Sequence, residues 1–205
     1  MRRLVVAGTG VAGNACIRHI LKHRHEFSIT VFGPSVAGIG VEAADLDPRD
    51  DDWLRACGLD LRLGVALVSV DRHAKVALGE DGSRTTFDTL ILAAGPANLV
   101  LARAAGLEVR GGVVVNDYLQ SSDAHVYALG GGIEHRGVVY SGETPIEEQA
   151  RVLAAHLTGN ETAPFRGRAT SAASVAALDA FATSGLRLVE QTHSPEDPPV
   201  LAGAA

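Results

Sequence analysis

Residues 2–14 read RRLVVAGTGVAGN. Leu4, Val5, Val6 and Ala7 make a short apolar run that closes in Gly8, Gly10 and Gly13, spaced G-x-G-x-x-G. An amphipathic helical pattern starts at once, with Cys16, Ile17, Ile20 and Leu21 on its inner side. The order is strand, glycine turn, helix.

Each glycine in that spacing has a physical task. Gly8 permits the tight turn, Gly10 removes a Cβ from the path of an approaching ligand, and Gly13 lets helix pack closely on strand. The N–H groups of Gly10, Val11, Ala12 and Gly13 open the helix, where free donors and the positive dipole end suit a phosphate. The pattern therefore predicts a dinucleotide-binding turn, the alternative being a plain glycine turn in some other α/β protein.

Composition is consistent with this. The chain has 205 residues, 46% of them hydrophobic and 4% aromatic, which suits small side chains packed between helices and a mostly parallel sheet. A net charge of -6 argues against a nucleic-acid or anionic-membrane surface. No apolar run approaches the roughly 18 residues of a membrane span, and the N-terminus enters a strand directly, so the expectation is a cytoplasmic protein. Cys16 and Cys57 form no C-x-x-C and read as free thiols. His19 and His23 share a helix face without a matching third ligand, so they read as a solvated helix end rather than a metal site.

Along the chain, the first helix is expected from Val11 to Lys22 and a second strand from Ser28 to Phe32. Dinucleotide folds carry an acid at the end of that strand for the ribose hydroxyls, and here the position is Gly33. Residues 33–40 read as loop, and the acidic stretch at Asp45–Asp52 as a charged helix start, with a short helix from Asp47 to Gly58. Short strands with turns at Asp71–Ala74 and Glu80–Gly82 lead to an apolar strand, Thr89–Ala93. A helix over Ala97–Ala105 stops at Gly106. Strands follow at Gly112–Asn116, His125–Leu129 and Val138–Tyr140. Thr144, Pro145 and Glu147 read as a capping box that opens a helix to Leu157.

The glycine turn, the strand LILAAGP ending at Gly95, the block GLEVRGGVVVNDYLQSSDAHVYALGG and the helix after it resemble the pyridine nucleotide-disulfide oxidoreductase superfamily. The resemblance covers residues 1–160 and is nearest to the FAD-binding part of NADH-dependent nitrite reductase large subunits and NADH:rubredoxin-type reductases. It implies an FAD domain with an inserted NAD(P) domain. No second G-x-G-x-x-G occurs, and LAAGPAN (Leu92–Asn98) looks like two family strands fused where the insert would be.

By position, the resemblance places Gly8, Gly10 and Gly13 against the FAD pyrophosphate and Ala93, Ala94 and Gly95 beside the flavin nucleotide. It puts Gly130 and Gly131 where relatives carry a Gly-acid pair. It points the helix start at Thr144 and Pro145 toward the flavin ring, where the dipole would stabilise a reduced anion. The acids expected at Gly33 and Gly131 are missing. Each would supply a hydrogen bond worth roughly 1.5–3 kcal/mol, so their joint loss weakens FAD by about two to four decades. If the pocket keeps its shape, Gly33→Glu with Gly131→Asp should restore that affinity.

The sequence therefore predicts an α/β fold. It is a doubly wound parallel sheet of Rossmann-like FAD/NAD(P)-binding type with a small antiparallel β subdomain over 1–160. A helical appendage is expected over 161–193 and a disordered tail over 194–205. The expected role is an FAD-binding electron-transfer component, its cofactor weak or lost, that works with another redox subunit; a homo-oligomer is compatible. A degenerate flavoprotein domain serving as an assembly subunit, and a Rossmann protein binding ADP or NAD without redox chemistry, are the other readings.

Overall fold

Leu4, Val5, Val6 and Ala7 are all buried, so both faces of their strand are covered, as the centre of a parallel sheet requires. The computed structural model describes residues 1–21, 26–33, 59–93, 95–140 and 145–167. These lie in one compact unit spanning Met1–Ser171. The expected short helix over 47–58, the loop from Pro34 to Gly40, Ala94, Thr144 and everything from residue 168 onward fall outside the described residues.

The main sheet holds β1 (Arg2–Ala7), β2 (Phe27–Gly33), β3 (Leu59–Leu63), β7 (Thr89–Ala93) and β9 (Val126–Leu129) in the order β3-β2-β1-β7-β9, every pair parallel. Register is set by burial. Leu4 faces Ile29 on one side and Thr89 on the other, and Ala7 faces Phe32 and Leu92, so a slip of one residue would exchange the covered faces. From β1 the chain turns to β2 on one side, while β7 lies on the other. The carboxyl ends of β1 and β7 thus flank a topological switch point.

Between β3 and β7, the strands β4 (Leu67–Asp71), β5 (Val76–Gly79) and β6 (Arg84–Thr86) form the antiparallel sheet expected from the two turns. A further sheet was not anticipated. It joins β8 (Val113–Val115), β10 (Ile133–His135) and β11 (Val138–Val139), with β8 parallel and β11 antiparallel to β10.

Three helices are described: α1 (Val11–Leu21), α2 (Pro96–Ala104) and α3 (Ile146–Leu157). The buried side of α1 is built from Ala12, Gly13, Ala15, Cys16, Ile17 and Ile20, small enough to let α3 lie against it. α2 stops at Gly106, which takes φ +72° and donates to the Arg103 carbonyl at 2.9 Å. The Arg72 guanidinium covers that end, donating to the carbonyls of Ala105 and Gly106 and pairing with Asp123. A cation there suits the negative pole of the helix and ties the antiparallel sheet to the main one.

Two local expectations give way to tertiary partners. Thr144 of the expected capping box lies outside the described residues, and the exposed Glu147 carboxylate is engaged across the helix pair, since Arg18 donates to it at 2.6 Å and His19 lies 3.2 Å from its other oxygen. His19 is accordingly a half-buried bridge between α1 and α3 rather than part of a solvated helix end. The chain also stays packed past Gly159. Phe165 is buried against the rings of His135 and Tyr140, and its N–H donates to the Asp117 carbonyl.

Candidate dinucleotide-binding site

The parallel sheet brings the ends of β1, β7 and β9 to one edge, and the glycine turn sits in the middle of it. Gly8 takes φ +116°, a conformation that side chains rarely adopt, while its N–H still donates to the Phe32 carbonyl at 2.7 Å. A Cβ on Gly13 would stand 2.1 Å from the Gly8 carbonyl oxygen, so the helix touches the turn and no larger residue fits. A Cβ on Gly10 would meet nothing within 4 Å. The three glycines thus carry three different constraints, a turn, an open approach and a close contact, which is the combination a pyrophosphate site needs.

The first helical bond of α1 runs from the Asn14 N–H to the Gly10 carbonyl at 3.0 Å. The N–H groups of Val11, Ala12 and Gly13 come before it and have no acceptor one turn back within the helix. No acidic residue lies in this first turn, so its dipole is uncompensated. Asn14 is buried and its amide donates to the Thr9 carbonyl at 3.2 Å, which fixes the turn beneath that open face.

A second asparagine was not singled out in the sequence. Asn98, in α2, donates from Nδ2 to the carbonyls of Ala7 at 2.9 Å and Ala93 at 2.6 Å, joining the two strand ends at the switch point. Gly8, Ala93 and Asn98 converge: a Cβ on Gly8 would lie 3.0 Å from the Ala93 methyl and 3.3 Å from Asn98 Nδ2. Ala93 is small because the turn rests on it. Gly95 caps α2 with extended backbone and has open space where a Cβ would be.

At the outer strand, Gly130 takes φ +100° and its N–H donates to Gln149 Oε1 at 2.6 Å. Pro145 takes the cap position of α3, and its carbonyl accepts from the Gln149 N–H. Gly8, Gly10, Val11, Ala12, Gly13, Ala93, Gly95, Gly130, Gly131 and Pro145 therefore share one edge of the sheet. Ala94 and Thr144 lie outside the described residues.

Gly33 is where the structure corrects the sequence reading. A Cβ there would lie 2.2 Å from Thr9 Cγ2, 2.3 Å from Thr9 Oγ1 and 2.7 Å from Thr9 Cβ. Position 33 is therefore not an empty place waiting for an acid, because the buried Thr9 side chain fills the volume that any side chain on Gly33 would need. Cys16 lies beneath the site, and burial pushes its thiol up to about 12, so it supplies no thiolate. Among the described residues no cluster of metal-ligating side chains occurs, and no helix is long and apolar enough to cross a membrane.

An open α/β sheet with a glycine turn at its switch point defines a Rossmann-like nucleotide-binding protein. The pyridine nucleotide-disulphide oxidoreductase family matches residues 2–152, and the chain belongs to that family. It is 38% identical over 117 residues to the assimilatory nitrate reductase electron transfer subunit of Bacillus subtilis (strain 168), covering 56% of this chain and 15% of that protein. It is 41% identical over 93 residues to the nitrite reductase [NAD(P)H] of the same organism, covering 45% of this chain and 12% of that protein. The chain thus spans only a small part of these relatives. NADH:rubredoxin oxidoreductase from Clostridium acetobutylicum shares the fold, with TM-score 0.56 and 13% identity over 83% of this chain and 78% of that one.

Proposed function

We propose that this chain binds FAD along the switch-point edge and passes electrons within a cytoplasmic reductase system, taking them from or giving them to another redox protein. The observation that carries this reading is the division of tasks among Gly8, Gly10 and Gly13, which leaves an open approach to a helix start without acids. Gly10 and the N–H groups of Val11, Ala12 and Gly13 would hold the pyrophosphate. Ala93 and Gly95 would pass beside the nucleotide, and Gly130, Gly131 and Pro145 would lie toward its far half. When bound, FAD supplies the one- and two-electron chemistry that no described side chain offers. The likeness to nitrate and nitrite reductase relatives supports a place in nitrogen assimilation.

Residues 1–205 carry a single G-x-G-x-x-G, so a nicotinamide dinucleotide would bind on another protein or at an improvised site rather than at a second turn of this kind within them. The test is a visible spectrum of the purified protein, followed by reduction with dithionite and separately with NADH. The expected result is a flavin band bleached by dithionite and not by NADH alone. A colourless protein that takes up no added FAD would refute it.

A second reading, a flavoprotein domain that has lost its cofactor and serves as an assembly subunit, is favoured by one observation. Thr9 fills the position of the ribose acid, so no carboxylate can reach the hydroxyls from residue 33.

A further inference from the structure

Gln149 is fully buried in the first turn of α3, and its Nε2 has no hydrogen-bond partner among the described residues. We propose that Gln149 is a ligand-binding residue, its Nε2 donating to a neutral oxygen, a carbonyl or a hydroxyl, in the far half of a dinucleotide whose diphosphate sits on the Gly10 turn. This rests on the FAD reading above and names a contact within it.

The orientation of the amide is fixed by its neighbour. Oε1 accepts from the Gly130 N–H at 2.6 Å, and turning the amide over would set one donor against another. The NH2 end therefore stays committed to the unpaired side. A buried donor left without an acceptor is costly, so a residue kept in this state calls for a partner that arrives with the ligand.

The class of partner follows from charge. α1 has no acid in its first turn, whereas α3 carries Glu147 and Glu148 there. Arg18 pairs with Glu147, which leaves Glu148 as the unmatched carboxylate of that turn; it disfavours a phosphate there and leaves a neutral oxygen as the acceptor. The spacing agrees. β1 and β9 are separated only by β7, so the ends of these strands, at Gly8 and at Gly130 to which Gln149 is bonded, stand roughly 10 Å apart along the sheet edge, within the span of one dinucleotide.

The test compares FAD with ADP, which engages only the glycine turn, on the full chain and two variants. Gln149→Glu keeps an oxygen for Gly130 and removes the NH2, and Gln149→Met keeps the length and removes both polar ends. FAD affinity should fall about ten-fold or more in each variant at pH 8, while ADP affinity is unchanged. Equal losses for both ligands, or unchanged FAD affinity in either folded variant, would overturn the assignment. If the parent binds ADP and not FAD, the FAD reading fails and this contact fails with it. If the parent binds FAD and the variants bind it equally well, only this contact fails.

Discussion

Placing any side chain at residue 33 should cost stability and gain no affinity. In Gly33→Ala the new methyl would stand 2.2 Å from Thr9 Cγ2 and 2.3 Å from Thr9 Oγ1. Rotating Thr9 about χ1 could move those two atoms, but not Thr9 Cβ, which would still be 2.7 Å away. The backbone of the glycine turn or of β2 must therefore shift, and overpacking of this kind costs about 1–3 kcal/mol. Gly33 does not occupy the left-handed region, so the cost is steric and not conformational. For a chain of this size it lowers the melting temperature by about 2–12 °C.

Thr9→Gly removes all three clashing atoms, so a double-mutant cycle should show the two positions coupled by about 0.5–3 kcal/mol. Denaturant unfolding of the parent, both single variants and the double variant measures this directly. Gly33→Glu should behave as a worse Gly33→Ala, with FAD affinity no better than the parent's. A Gly33→Ala protein as stable as the parent, or additive costs in the cycle, would refute the steric argument.

Gly10→Asp should abolish FAD and ADP binding with the melting temperature unchanged, because the site has room for the side chain and the wrong charge for a phosphate; calorimetry with each ligand and a thermal melt check it. Gly13→Ala should do the reverse first, unfolding at lower denaturant because its Cβ would press on the Gly8 carbonyl. The Arg136 guanidinium, with His135, holds the Asp117 carboxyl at about 2, below its ordinary 3.8. A folded-state value below the unfolded one adds stability that is full above about 4 and is lost as pH falls through about 2. Asp117→Asn should therefore flatten acid unfolding in that window, as followed by circular dichroism. Cys16, buried with its thiol pushed up to about 12, should resist iodoacetamide at pH 8 until the chain unfolds, as mass mapping would show.

The glycine turn was legible because its demands are local. A positive φ at Gly8 and a helix pressed on the turn at Gly13 follow from strand, turn and helix meeting within a few residues. The run Thr89–Ala93 was equally plain, since a strand buried on both faces reads as continuous apolar sequence. What the sequence hid depended on partners far along the chain. Gly33 looks like a missing acid until Thr9 is seen against it. The sequence marks Glu147 only for a capping pattern, and its contacts with Arg18 and His19 come from across the helix pair. Gln149 is not singled out in the sequence, and the packing of α3 on α1 and β9 is what buries it. The expected strands over 112–116 and 138–140 form as β8 and β11, but β10, which joins them into one sheet, is only three residues long, too short for periodicity to mark.

Asn98 connects these features to the polarity of the site. By accepting one Nδ2 from α2, the carbonyls of Ala7 and Ala93 hold β1 and β7 together where a doubly wound sheet would otherwise open at its switch point. That clamp keeps the Gly10 approach beside Gly95 and the start of α2, on the side of the edge without acids in either helical first turn. The opposite side, at α3, has Glu147 and Glu148, with only Glu147 matched by the cations of α1. An elongated ligand with charge at one end and neutral polar groups at the other would thus be oriented by the fold, with its diphosphate over α1 and its neutral half over Gly130 and Gln149. The reverse orientation would set phosphate against the unmatched Glu148 and leave the α1 donors without an anion.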